Sequence, residues 1–151
     1  MTMNKNPKSI VILYADDDPE DRMLAQDAFE ESELPNPLHF VEDGEELLMF
    51  LYNQGAYRDK IKYPTPGLIL LDLNMPKKDG WEVLKELKLH PKFKVIPVVV
   101  LTTSTMEEDI SKTYDLGVSS YITKPVSFEG LVDIMKALGK YWFDVVALPK
   151  N

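Results

Sequence analysis

The chain has 151 residues, enough for one domain, and it is 44% hydrophobic and 10% aromatic, too apolar for a disordered segment. Its formal net charge of −8 argues against direct DNA or RNA binding, because a phosphate backbone calls for a basic face. The absence of cysteine excludes disulfides, thiolate nucleophiles and cysteine-ligated zinc, and no apolar stretch is long enough for a signal peptide or a membrane span. These bounds predict one cytoplasmic domain over residues 1–151.

Apolar runs rich in β-branched residues alternate with helical patterns. The first run, SIVILY at 9–14, precedes a helical pattern over 20–32 that carries Leu24, Ala25, Ala28 and Phe29. LHFV at 38–41 precedes a helix over 45–53 with Leu47, Leu48 and Leu51. The connection over 54–67, with Gly55, Pro64, Pro66 and Gly67, reads as a surface loop that carries the end of that helix. LILL at 68–71 precedes a helix over 81–88 with Trp81, Leu84 and Leu87. VVVL at 98–101 precedes one over 107–116 with Ile110 and Tyr114, which stops at Gly117. SYIT at 120–123, the weakest run, leads into a last helix from about Ser127. Continuous rather than alternating runs suit strands buried on both faces, and strict alternation of strand and helix implies a parallel sheet with right-handed crossovers. The expected class is α/β, a flavodoxin-like doubly wound sheet of order 2-1-3-4-5.

Ligands of open α/β sheets bind beyond the carboxyl ends of the strands. There the sequence places Asp16 and Asp17, then Asp72 in LLDLNMPKKDG, Thr102 in LTTS and Lys124 in YITKP. Three carboxylates, a hydroxyl and an ammonium would meet at one rim. Two carboxylates about 5 Å apart repel by roughly 3 kcal/mol at an effective dielectric near 20, so they need a cation or open water. Asp18-Pro19-Glu20-Asp21 reads as an N-cap, a proline at the first helical position and first-turn acids. That leaves Asp16 and Asp17 for a cation, and an oxygen-only set suits magnesium, with manganese as the substitute. Taken singly, each signal has an ordinary reading: a solvated helix entry for Asp16 and Asp17, a loop residue for Asp72, a half-buried strand aromatic for Tyr121. His39 and His90 have no ligand or triad partner near them in sequence and read as structural.

Together, and in this order, these segments resemble the receiver domain of bacterial two-component response regulators. The resemblance implies that Asp72 is the phosphoacceptor. It implies that Asp17 binds Mg2+ directly, together with Asp72 and the backbone carbonyl of Asn74, while Asp16 acts mostly through water. It makes Thr102 and Lys124 the groups that bond the phosphoryl group, Tyr121 the switch residue, and the Lys124–Pro125 peptide cis. Asn74 and Ser104 would tune self-dephosphorylation, and Pro76 and Gly80 would shape the loop after Asp72. Thr103 stands where the family often has alanine. The implied partner is a histidine kinase, and the implied role is a phosphoacceptor rather than an enzyme acting on a separate substrate.

Three rivals are weighed. An aspartyl-phosphate phosphohydrolase wants a second acid two residues after its nucleophile, where this chain has Asn74. A phosphorylation-independent binding module would not need the full set of Asp17, Asp72, Thr102 and Lys124. A flavin carrier wants a phosphate loop after the first strand, which the acids at 16–21 would repel. In the tail, Phe128, Leu131, Met135, Leu138, Trp142 and Val145 follow a 3-4 spacing, widened by Ile134, Tyr141 and Leu148. This predicts a long helix over about 127–148, with Gly139 as its weak point, and a homodimer interface including Tyr141, Trp142 and Val145. The ending GKYWFDVVALP and the long loop at 54–67 also resemble small response regulators paired with bacterial and cyanobacterial phytochrome histidine kinases.

Overall fold

A computed structural model describes residues 10–103 and 106–145. Five strands form one parallel sheet in the order β2-β1-β3-β4-β5. They are β1 (Ile12–Ala15), β2 (Leu38–Val41), β3 (Leu68–Leu71), β4 (Val98–Thr102) and β5 (Ser120–Thr123). Five helices connect or follow them: α1 (Pro19–Glu31), α2 (Gly44–Leu51), α3 (Gly80–Leu89), α4 (Glu107–Asp115) and α5 (Phe128–Gly139). The expected order and alternation match. The first strand starts later than expected, at Ile12, and runs one residue further, to Ala15.

Helix starts follow local chemistry. Asp18, Asp43, Asp79 and Ser127 each accept a hydrogen bond from a first-turn amide, those of Glu20, Glu46, Glu82 and Gly130. α4 ends at Asp115, with Gly117 at φ 88° just beyond, the left-handed residue that closes many helices.

The sheet is buried on both faces, and its side chains alternate between two cores. Leu13, Ala15, Ile69, Leu71, Val98 and Val100 pack with α2 and α3. Ile12, Tyr14, Leu68, Leu70, Val99 and Leu101 pack with α1 and α5. Some expected core positions lie outside. Leu24 and Tyr114 are 46% and 50% exposed, and in α4 the buried residue is Thr113. The 54–67 connection carries a short 3-10 turn, Gly55–Tyr57, rather than the end of α2. Tyr57 and Tyr63 there pack against Phe50 of α2. Asn53, at φ 54°, donates to the carbonyls of Tyr57 and Tyr63 and pins the loop. His39 packs on Phe50 and Tyr63, and His90 stacks on Phe93 while its Nδ1 accepts the amides of Lys92 and Phe93, so both histidines are structural.

The last helix departs from expectation. It is α-helical only to Gly139 and then widens into a π-helical turn, Lys140–Val145. Leu148 lies outside the described residues, as does the side chain of Val145. A Cβ on Gly139 would lie 2.2 Å from Cδ2 of Leu34, so glycine admits a close approach of the segment after α1. Trp142 is only 7% exposed and belongs to the core under α1 and α5. This corrects its expected place on an exposed interface: with Met135 and Leu138 it shares the stripe facing the sheet. Tyr141, beside it, is 53% exposed. Trp142→Ala is therefore expected to lower unfolding free energy by about 3–5 kcal/mol, the cost of emptying a packed aromatic site. Urea denaturation at low concentration measures it, and an unchanged midpoint would contradict the core assignment.

Candidate functional site

Parallel register brings the site together. Ala15 pairs with both Val41 and Leu71, so the next residues, Asp16 and Asp72, emerge at one level. The Asp72 amide donates to the Ala15 carbonyl at 3.0 Å. Thr102 ends β4 opposite Thr123, and the Lys124 amide donates to the Thr102 carbonyl at 2.7 Å. Four strand ends thus deliver an acid, an acid, a hydroxyl and an amine to a single rim.

The side chains meet there. The Lys124 ammonium donates to Asp16 Oδ2 at 2.7 Å, Asp21 Oδ2 at 2.9 Å and Asp72 Oδ2 at 3.0 Å. Thr102 Oγ1 donates to Asp72 Oδ1 at 3.1 Å, as does the backbone amide of Asn74 at 3.1 Å. Asp16 Oδ1 accepts the Asp18 amide at 3.0 Å. Arg22 clamps the turn from outside: Nη1 donates to the Asp16 carbonyl at 2.7 Å and Nη2 reaches Glu42 at 3.5 Å. Asp16 and Thr102 are fully buried and Asp72 nearly so, while Asp17 is exposed. Burial raises the Asp16 carboxyl above its ordinary pKa, against the hydrogen bonds from Lys124 and the Asp18 amide. For Lys124 burial opposes the charge, but hydrogen bonds to Asp16 and Asp21 and the attraction of Asp72 outweigh it and raise the pKa. The ammonium stays charged and the carboxylates crowd around it.

The loop after Asp72 is tightly built. Met75 is buried in the core, Pro76 is exposed, and Lys77 adopts φ 63°. The Gly80 amide donates to the Leu73 carbonyl, and a Cβ on Gly80 would lie 2.7 Å from both the Asp72 carbonyl oxygen and Leu73 Cα. Only glycine lets α3 start against the backbone that carries Asp72.

Oxygen atoms of Asp16, Asp17 and Asp72 lie within 4.8 Å of one another. An oxygen-only, anionic set with one open, exposed member fits a hard divalent cation that retains several waters. The Asn74 carbonyl is the fourth expected donor, and its amide already anchors the same turn.

A family model described as the response regulator receiver domain matches residues 12–136. The chain belongs to that family. It is 40% identical to the response regulator Rcp1 of Synechocystis sp. over 149 residues, 99% of each chain. Among solved structures it is similar to the phosphorylated cyanobacterial phytochrome response regulator RcpA, at 42% identity and a TM-score of 0.85, covering 94% of this chain and 99% of that one. The Mn2+-bound form of Rcp1 matches at 42% identity and a TM-score of 0.83, covering 93% and 99%. Response regulator RPA3017 of red light signaling in R. palustris matches at 30% identity and a TM-score of 0.89, covering 94% and 99%. The protein is thus a receiver of two-component phosphorelay signalling, with a histidine kinase as its partner class and Mg2+ or Mn2+ as the cation of its acidic pocket.

One expectation about the site changes. No peptide bond among the described residues is cis, so Lys124–Pro125 is trans, the isomer X-Pro bonds favour by about 0.5–1 kcal/mol. Ser104 lies outside the described residues. Tyr121 is half-buried against the α2–α3 core, and its amide donates to the Tyr114 hydroxyl at 3.2 Å. Asp21 and Arg22 were missed as parts of the site, because an acid and a base in a first helical turn read as ordinary dipole and surface residues. Removing the ammonium should expose the cost of crowding. Lys124→Gln in EDTA should lose about 3–5 kcal/mol, the penalty of a buried charge left unpaired. Adding Mg2+ should narrow the gap to wild type, and equal denaturation midpoints in EDTA would refute the charge balance described.

Proposed function

We propose that Asp72 is the phosphoacceptor, taking its phosphoryl group from a phosphohistidine of a partner histidine kinase. The observation that carries this reading is the direct contact of Asp72 with both Thr102 and Lys124, donors 30 and 52 residues away in sequence. A carboxylate oxygen of Asp72 forms the new bond to phosphorus. The P–N bond breaks, and its electron pair stays on the imidazole nitrogen. Such transition states are loose, so aligning the groups and neutralising charge do most of the catalysis. Thr102 and Lys124 already donate to the two oxygens of Asp72 and need only a small shift to reach the oxygens of the transferred group. A divalent ion held by Asp16, Asp17, Asp72 and the Asn74 carbonyl would supply the positive charge that one ammonium cannot. The product is an acyl phosphate with added negative charge and strong acceptors.

Thr102 drawn toward that group leaves room beside β4, and Tyr121 turns inward to fill it. This biases a two-state surface on α4 and β5. The similarity to Rcp1 and RcpA supports a phytochrome histidine kinase as the partner. The acidic charge supports a role through protein contacts, with no nucleic acid bound, and the absence of cysteine fits the cytoplasm. Among the described residues no helix is long and apolar enough to cross a membrane. A homodimer through the outer face of the last helix, with Tyr141 exposed on it, completes the reading.

Incubation with acetyl phosphate and Mg2+ followed by intact mass should show one added phosphoryl group. EDTA or Asp72→Asn should abolish it, and label retained by Asp72→Asn would overturn the assignment. Turnover of phosphate esters without a stable adduct would favour a phosphohydrolase. Sedimentation at rising concentration should show a dimer that Tyr141→Glu weakens, and a monomer at every concentration, with or without a phosphoryl mimic, would dismiss the dimer.

A further inference from the structure

We propose that Asp21 is a positioning residue for Lys124, holding the ammonium in place throughout phosphoryl transfer. This rests on Asp72 being the phosphoacceptor. As a first-turn acid of α1, Asp21 has an obvious alternative role, to complement the helix N-terminus. Glu20 is equally placed for that role and is exposed. Asp21 instead turns inward, with Oδ2 2.9 Å from the Lys124 nitrogen, across 103 residues of sequence. Its side chain is 38% exposed, so it forms the outer wall of the site, beside Tyr14 and Leu24 in the groove that leads out past Pro125.

The three acceptors of Lys124 differ in what the reaction does to them. Asp72 changes most, because one of its oxygens becomes bonded to phosphorus. Asp16 belongs to the cation-binding set and also holds the Asp18 amide. Asp21 lies outside that set and bonds to no phosphoryl oxygen. It is the acceptor that stays the same before, during and after transfer. An ammonium has three donors, and all three are used at rest. When the phosphoryl group arrives, one donor must leave Asp72 for it. A side chain with four rotatable carbons, tethered on the far side by Asp21, makes that exchange without swinging out to water. The residue acts through Lys124 and does not touch the transferred group.

The test is a double-mutant cycle read by acetyl phosphate labelling at saturating Mg2+, with intact mass over time. Asp21→Ala should slow labelling about tenfold, and Asp21→Asn, which keeps an oxygen acceptor, should recover most of the rate. In a Lys124→Gln background, Asp21→Ala should change the rate less than twofold. Glu20→Ala controls for charge in the same turn and should leave the wild-type rate within twofold. Thermal melts of each variant confirm that folded protein is compared. An equal loss in both backgrounds, or a loss matched by Glu20→Ala, would show that Asp21 acts through helix charge and defeat the proposal. So would a wild-type rate for Asp21→Ala. Labelling that survives Asp72→Asn would instead defeat the phosphoacceptor reading on which the proposal rests.

Discussion

The site depends on one ammonium. Lys124 is the only cation among the described residues that bonds the side-chain carboxylates of Asp16, Asp21 and Asp72, and Asp17 stands close by. Carboxylate oxygens within 4.8 Å of one another repel by roughly 3 kcal/mol or more per pair at an effective dielectric near 20, so one ammonium does not balance the acids around it. The resting site is therefore left anionic, which is what a divalent cation requires, and the bound cation would in turn offset the charge that an incoming phosphoryl group meets. The raised pKa of Asp16 and the raised pKa of Lys124 express the same imbalance from its two sides: burial penalises the isolated anion, and surplus anions retain the proton on the amine. A site with its charges already matched would have little affinity for a metal ion.

What makes this crowding tolerable is that the backbone, not the side chains, sets the positions. Asp16, Asp72 and Lys124 each follow a strand directly, and their heights on the rim are fixed by ladder pairing rather than by their mutual attraction. The strands are in turn locked by full burial of β1, β3 and β4. Met75 anchors the loop after Asp72, and Gly80 brings α3 against it. Hydrophobic burial on both sheet faces supplies the free energy that holds like charges together, and the cost is concentrated at a few positions where function needs it.

The strand–helix alternation, the sheet order and the rim residues Asp16, Asp17, Asp72, Thr102 and Lys124 were legible because each follows an apolar run, and a parallel sheet makes run ends meet. Less legible was whatever depends on a side chain's direction. Asp21 and Glu20 are indistinguishable by sequence, yet one faces Lys124 and the other water. Leu24, Tyr114 and Trp142 show the same limit, since helical periodicity marks a stripe without fixing its edges. The π-helical turn after Gly139 shifts the register over Lys140–Val145, and no periodic rule anticipates it. The contact of Tyr114 with the Tyr121 amide escapes too, because a half-exposed tyrosine on α4 looks like part of a packing stripe.

That last contact bears on where a switch can sit. β3 is buried at every residue, whereas in β5, at the sheet edge, three residues are half-buried and Thr123 is exposed. α4 buries only Thr113, whereas each of the four other helices buries three or more residues. Local opening costs least where few apolar contacts are lost. The fully buried strands β1, β3 and β4 therefore hold the acids in place, and the donors Thr102 and Lys124 reach them from buried β4 and from the half-buried edge strand β5. A charge added at Asp72 pulls on these two residues first. Thr102 ends the fully buried β4, whereas Lys124 follows β5, so it is through Lys124 that the pull would reach the less buried edge of the sheet. The Tyr114 hydroxyl, bonded to the Tyr121 amide, ties α4 to β5 at that edge. The proposed output on the α4–β5 face fits this difference in packing, because a rearrangement of the same size around β1 or β3 would have to break a core buried on both sides.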